Sequence, residues 1–127
     1  MDNAQGYIMG YSANEALEPF RLLTYATSGV EYADAITERV IGVSQQAVAS
    51  GERASAQVNG VTYLVCDGSG TAITPGARLM PKASADGIGV VAAGATAVPC
   101  AIALEGTTAA AGVIRVQLTP NVAVVGS

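Results

Sequence analysis

The chain has 127 residues, half of them hydrophobic and only 13% charged, with 6 Lys or Arg against 10 Asp or Glu and no histidine. That length fits one domain, and a net charge of −4 with no basic patch argues against direct nucleic-acid binding. The missing histidine removes the usual general base, the Ser/His and Cys/His nucleophile pairs and the commonest metal ligand.

Much of the apolar content is alanine, with one Phe, five Tyr and no Trp, so the chain packs by close backbone approach more than by large side chains. Soluble domains carry about a quarter charged residues. The lower figure here fits a surface covered by partners and equally a small-residue β domain. Charge is also uneven. Before Leu64 stand Asp2, Glu15, Glu18, Glu31, Asp34, Glu38 and Glu52 against Arg21, Arg39 and Arg53; beyond it Asp67, Asp86 and Glu105 balance Arg78, Lys82 and Arg115. No apolar run reaches membrane-spanning length, and Met1-Asp2-Asn3 does not open a secretory signal.

Residues 1–19 read as an N-terminal arm, residues 20–120 as a β domain and residues 121–127 as a tail. In the arm, Tyr7, Ile8, Met9 and Tyr11 form an apolar cluster flanked by Gly6 and Gly10, and Ala13–Glu18 suits one helical turn stopped by Pro19. An apolar cluster in an irregular terminus docks on something, either its own domain or a neighbouring subunit. Tyr7, Ile8, Met9, Tyr11, Leu17 and Phe20 are therefore the candidate partner-binding residues.

Phe20–Tyr25 reads as a strand, Ser28-Gly29 as a turn and Val30–Ala33 as the return, with Glu31–Arg39 passing into loop. The β-branched run Val40-Ile41-Gly42-Val43 reads as a buried strand. The stretch Gly51–Cys66 predicts a hairpin turning at Asn59-Gly60, because a type I′ turn needs φ > 0 at both central residues. Its register would pair Val58 with Val61, Ala56 with Tyr63 and Ala54 with Val65 on one apolar face, leaving Gln57–Thr62, Ser55–Leu64 and Arg53–Cys66 on the other. Asp67-Gly68-Ser69-Gly70 is a loop, and Pro75-Gly76 a type II turn before a strand at Ala77–Met80. Asp86-Gly87 turns into Ile88–Ala92, Val98–Leu104 is a strand, and Val113–Leu118 alternates cleanly in and out before an apolar tail at Val122–Val125. A weak echo at a spacing of 61 matches Ile41-Gly42-Val43 to Ile102-Ala103-Leu104, Ala49 to Ala110 and Gly51 to Gly112.

Candidate chemistry is sparse. No two carboxylates have a spacing that suggests an acid/base pair, and neither Asp67-Gly68-Ser69-Gly70 nor Asp86-Gly87 supplies the oxygen ligands of a calcium loop. Gly68-x-Gly70 lacks the third glycine and the helix of a dinucleotide loop. Lys82 has Pro81 where a biotinyl or lipoyl carrier has Met, so it reads as a solvated loop lysine. Cys66 and Cys100 lie in strand-like runs and read as buried reduced thiols, with a disulfide left open. The expectation is no catalytic residue, no metal and no cofactor.

The order of these features carries a resemblance. Phe20-Arg21-Leu22-Leu23, Ser28-Gly29-Val30, Ile41-Gly42-Val43-Ser44, Ala49-Ser50-Gly51-Glu52-Arg53 and Asn59-Gly60 come in turn. Ile73-Thr74-Pro75-Gly76-Ala77-Arg78-Leu79-Met80, Asp86-Gly87, Ala101-Ile102-Ala103-Leu104-Glu105 and Gly112–Leu118 follow. Over roughly residues 20–118 this resembles the capsid decoration, or cement, proteins of tailed bacteriophages. The resemblance implies an all-β fold, a small antiparallel β-barrel or tulip-like domain with an extended N-terminal arm, and no catalysis. It further implies binding to the outer surface of the phage head, with the major capsid protein as partner and a trimer as the oligomer. The place of action would be the virion, after assembly in the host bacterial cytoplasm, with no nucleic acid or membrane contacted. A receptor-binding or fibre-associated β module of a phage is the alternative.

Overall fold

Every regular element among the described residues is a strand. A computed structural model describes residues 8–26, 28–35, 39–93 and 99–119, and among these described residues there is no helix. The strands are β1 (Ile8–Ser12), β2 (Leu22–Ala26), β3 (Gly29–Tyr32), β4 (Gly42–Ser44) and β5 (Arg53–Gln57), then β6 (Gly60–Cys66), β7 (Arg78–Pro81), β8 (Gly89–Val91), β9 (Ala101–Ala103) and β10 (Gly112–Leu118). The first five make a sheet in the order β1-β5-β4-β2-β3, and the last five close on themselves as a barrel-like ring in the order β10-β6-β8-β7-β9. Neighbours run antiparallel except β6 and β8, which meet in parallel at Cys66 and Gly89. The chain is all-β, as its sequence predicts.

The local chemistry explains these elements. Strand β10 buries Ile114, Val116 and Leu118 and exposes Val113 and Arg115, the period-two pattern of a half-buried strand. Pro75-Gly76 forms the expected type II turn: Ala77 N donates to Thr74 O at 3.0 Å, and Gly76 takes φ 92° at the position that needs a positive value. The ring encloses Leu64, Cys66, Leu79, Ala101, Ala103 and Val116. The first sheet packs Leu17, Leu23, Val30 and Tyr32 against Ala13, Ala54 and Ala56, whose short side chains let the backbones approach.

From Ile8 onward the N-terminal segment is woven into the first sheet. Strand β1 pairs with β5 from Ile8–Gln57 to Ser12–Arg53. Ala13 forms a parallel bridge to Val30, Asn14 N donates to Val30 O at 2.8 Å, and a Cβ on Gly29 would collide with the Ser12 carbonyl. The Glu15 carboxylate then accepts from Tyr32 N at 3.0 Å and Glu18 N donates to the Tyr32 hydroxyl at 2.7 Å, so the β3 edge is covered by the chain's own start. The helical turn expected over Ala13–Glu18 does not form. Leu17 instead exchanges backbone hydrogen bonds with Val48 at 2.9 and 3.0 Å and is 1% exposed; burying its side chain outweighs a single unsupported helical turn.

The predicted hairpin at Asn59-Gly60 does not form either. Strand β5 pairs with β1 and β4, whereas β6 pairs with β10 and β8, so this segment carries the chain from the first sheet into the ring. Gly60 has φ 82°, but Asn59 does not have a positive φ, and a type I′ turn needs both. Buried Gln57 fixes the crossing by donating its amide to Asn59 O at 3.0 Å and Val61 O at 2.8 Å. The consequence is an inverted face on β6: Thr62, Leu64 and Cys66 point inward and Tyr63 outward.

The echo at a spacing of 61 corresponds to two antiparallel hairpins, β4–β5 and β9–β10, but not to one register. Val43 pairs with Gln57, while Leu118 pairs with Ala101 and not with Leu104.

Candidate partner-binding surface

Residues 20–22 link the two sheets by backbone hydrogen bonds. Phe20 N donates to Ser44 O at 2.7 Å, Val65 N donates to Phe20 O at 2.9 Å, and Leu22 N donates to Gly87 O at 2.7 Å. The Ser44 hydroxyl, wholly buried, donates to Glu18 O at 2.6 Å and accepts from Arg21 N at 3.1 Å. These bonds hold Phe20 at φ 63°, a left-handed conformation that is an outlier for a bulky residue and costs about 1–3 kcal/mol. The strained backbone keeps the Phe20 ring half-buried at the surface, edge-on to Tyr63 with 5.8 Å between centroids.

Tyr63 belongs to an outward row across three strands. It stands opposite Arg115 on β10, and Leu104, just past β9, donates its N–H to Arg115 O at 2.9 Å. Val113 lies two residues along β10, on the same outer face. Tyr63, Leu104 and Val113 are 47%, 42% and 52% exposed, and they are three of the four large hydrophobic residues exposed among the described residues. The fourth, Tyr25, is on the first sheet, edge-on to half-buried Tyr11 at 6.0 Å. Exposed apolar side chains scattered singly need no explanation, but a contiguous group marks an interaction site.

The one charge inside this group is neutralised. Glu105 accepts from Arg115 N at 2.8 Å and from Arg115 Nε at 3.2 Å. The Arg115 backbone N–H, helped by the guanidinium, holds the Glu105 carboxyl below the usual carboxylate range. Tyr63, Leu104 and Val113 thus surround an exposed ion pair that carries no net charge, with Phe20 against Tyr63.

The predicted arm residues fare differently. Tyr7 lies outside the described residues. Ile8 and Met9 are in β1, opposite Gln57 and Ala56. Tyr11 packs against the core of the first sheet, and Leu17 lies within that core, 1% exposed. Phe20 alone joins the outward group. Tyr63 was hidden by the assumed hairpin, which turned it inward. Val113 was legible, since Arg115 marks the outer face of its strand, but Leu104 follows β9 without any such marker.

Lys82 is not merely solvated: its Nζ meets Asp67 Oδ2 at 2.6 Å, and Ser69 donates its hydroxyl to Asp67 at 2.6 Å. The Lys82 ammonium and then Ser69 hold the Asp67 carboxyl well below the usual range. Cys66 and Cys100 are both free and buried, and burial pushes each thiol up to about 12. Protonated thiols in a packed core are poor nucleophiles. Among the described residues, no group of three or more Cys, Asp or Glu is placed to hold a metal ion.

Comparison with known proteins gives a family and a fold. A family model described as "Phage cement protein" matches residues 18–118. No curated protein sequence matches the chain. Among solved structures, the head fiber gp8.5 N base of bacteriophage phi29 superposes with a TM-score of 0.68 over 89% of this chain and 93% of that one, at 16% identity. At that identity the likeness shows a common fold.

Proposed function

This chain belongs to the phage cement protein family, and we propose from that premise that it decorates the outside of a phage head, bridging subunits of the major capsid protein. The observation that supports this reading most is the outward group of Phe20, Tyr63, Leu104 and Val113 around a self-neutralised Arg115–Glu105 pair. A decoration protein needs contact area rather than reacting groups, and this surface offers area without net charge. Burying each of these side chains contributes about 1.5–3 kcal/mol before ordering costs. Many copies on one shell multiply such modest contacts, so that individually weak sites reinforce the whole particle. In this reading the protein is a non-enzymatic virion component of the head exterior, made in the host cytoplasm, and acts as a trimer. Tyr7, Ile8, Met9 and Tyr11 remain proposed arm contacts to a neighbouring subunit.

Co-sedimentation of the purified chain with empty phage heads tests the proposal. Saturable binding that changes little between low and high salt is expected, because an apolar, balanced contact is weakly screened. Binding that salt abolishes would place the contact on the acidic first sheet instead. The likeness to the base of a head fiber favours a second reading, a fibre-associated β module. Binding to fibre proteins or host cells in place of heads would favour that one.

A further inference from the structure

We propose that Asn59 is a site of spontaneous deamidation, converting the crossing between the two sheets into aspartate and isoaspartate as the protein ages. The chemistry needs an asparagine whose side-chain carbon can be reached by the next backbone nitrogen. Gly60 supplies that nitrogen without a Cβ to obstruct the approach, and Asn59 is exposed to the water that completes the reaction. The Gly60 nitrogen bonds to Asn59 Cγ, the Cγ–Nδ2 bond breaks, and Nδ2 leaves as ammonia. Water then opens the succinimide at either carbonyl, so one water is consumed for each ammonia released and no other reactant is required.

The location gives the reaction a structural effect. Gln57, 3% exposed, holds the carbonyl of this peptide bond and a carbonyl further along β6 through its amide bonds to Asn59 O and Val61 O. Gly60 is also the first residue of β6, opposite Leu118 at the end of β10. Isoaspartate inserts one methylene into the main chain ahead of Gly60 and turns the Asn59 carbonyl that Gln57 holds into a free carboxylate, and either product adds a negative charge. Val61, next in line, lies on the outer face of β6 beside Gln117. Ageing therefore alters both the joint between the sheets and the border of the apolar surface.

Asn14 provides an internal comparison. It is followed by Glu15, whose Cβ obstructs the approach that Gly60 leaves open. The full-length folded protein would be incubated at neutral and mildly alkaline pH. Intact mass would report loss of amide, and peptide mapping would locate it. Conversion at Asn59 several-fold faster than at Asn14, rising with pH and absent in Asn59→Gln, is expected. Equal rates at the two sites, or conversion of Asn59 only after denaturation, would overturn the proposal. Asn59→Asp distinguishes the products: its stability should fall less than that of the aged, isoaspartate-containing protein.

Discussion

The Phe20 ring stands edge-on to the Tyr63 ring, 5.8 Å between centroids, although Phe20 lies in neither sheet and Tyr63 is in the middle of β6. Their contact couples the segment joining the two sheets to the outer face of the ring. A left-handed Phe20 is tolerated because backbone bonds to Ser44 and Val65 hold it from both sides.

Replacing Phe20 separates strain from contact. Phe20→Gly relieves a conformation that glycine adopts freely while removing a half-buried ring, two effects of opposite sign and about 1–3 kcal/mol each. Thermal unfolding should therefore shift little, while attachment to heads weakens. A large loss of stability with unchanged attachment would assign Phe20 to the core.

Two glycines distinguish backbone strain from crowding. Gly51 and Gly87 have φ 88° and 72°, but a Cβ on Gly51 meets open space, whereas one on Gly87 would lie 2.5 Å from Leu22 O. Gly51→Ala should cost about 1 kcal/mol, and Gly87→Ala clearly more, because it pushes the two sheets apart where Leu22 N bonds Gly87 O. Denaturant unfolding of both variants would measure the difference, and equal costs would mean that the junction yields easily.

The N-terminal segment gives a third test. Residues 1–19 read in sequence as an arm that docks on its own domain or a neighbour, and in the structure β1 pairs with β5 and Leu17 is buried in the first core. Leu17→Ala should cost about 2–5 kcal/mol, the range for a leucine cavity. Deleting residues 2–18 should leave the first sheet unfolded rather than intact, as amide exchange would reveal.

Acid should loosen the ring's loops. Asp67 has its carboxyl lowered by Lys82 and Ser69, so the folded state favours the ionised form. That stabilisation is fully present above the unfolded carboxylate value of about 3.9 and is lost as pH falls below it towards the lower folded value. Glu105 acts in the same direction through Arg115. Melting temperature should decline below that value in the wild type and decline less in Asp67→Asn.

Much of this architecture is legible in the chain. The alternation of Val113–Leu118 and the Pro75-Gly76 turn are local signals and form as read. The Asn59-Gly60 signal is also local, but whether two flanking strands pair depends on their other neighbours. Here β1 and β4 claim β5 while β10 claims β6. That single long-range choice inverts β6 and hides Tyr63 from a sequence reading. Leu17 escapes for a similar reason, since a lone leucine beside Pro19 carries no periodicity until Val48 pairs with it.

In the proposed function the outer face of β6 and β10 makes the contact with the head. Its most direct test is co-sedimentation of Tyr63→Asp/Val113→Asp protein with empty heads, beside Tyr25→Asp on the first sheet. Both altered side chains of the double variant are exposed, so circular dichroism and melting temperature should stay near wild type. Loss of binding in the double variant with binding retained in Tyr25→Asp is the predicted result. Undiminished binding of a folded double variant would mean that the head is contacted through another face.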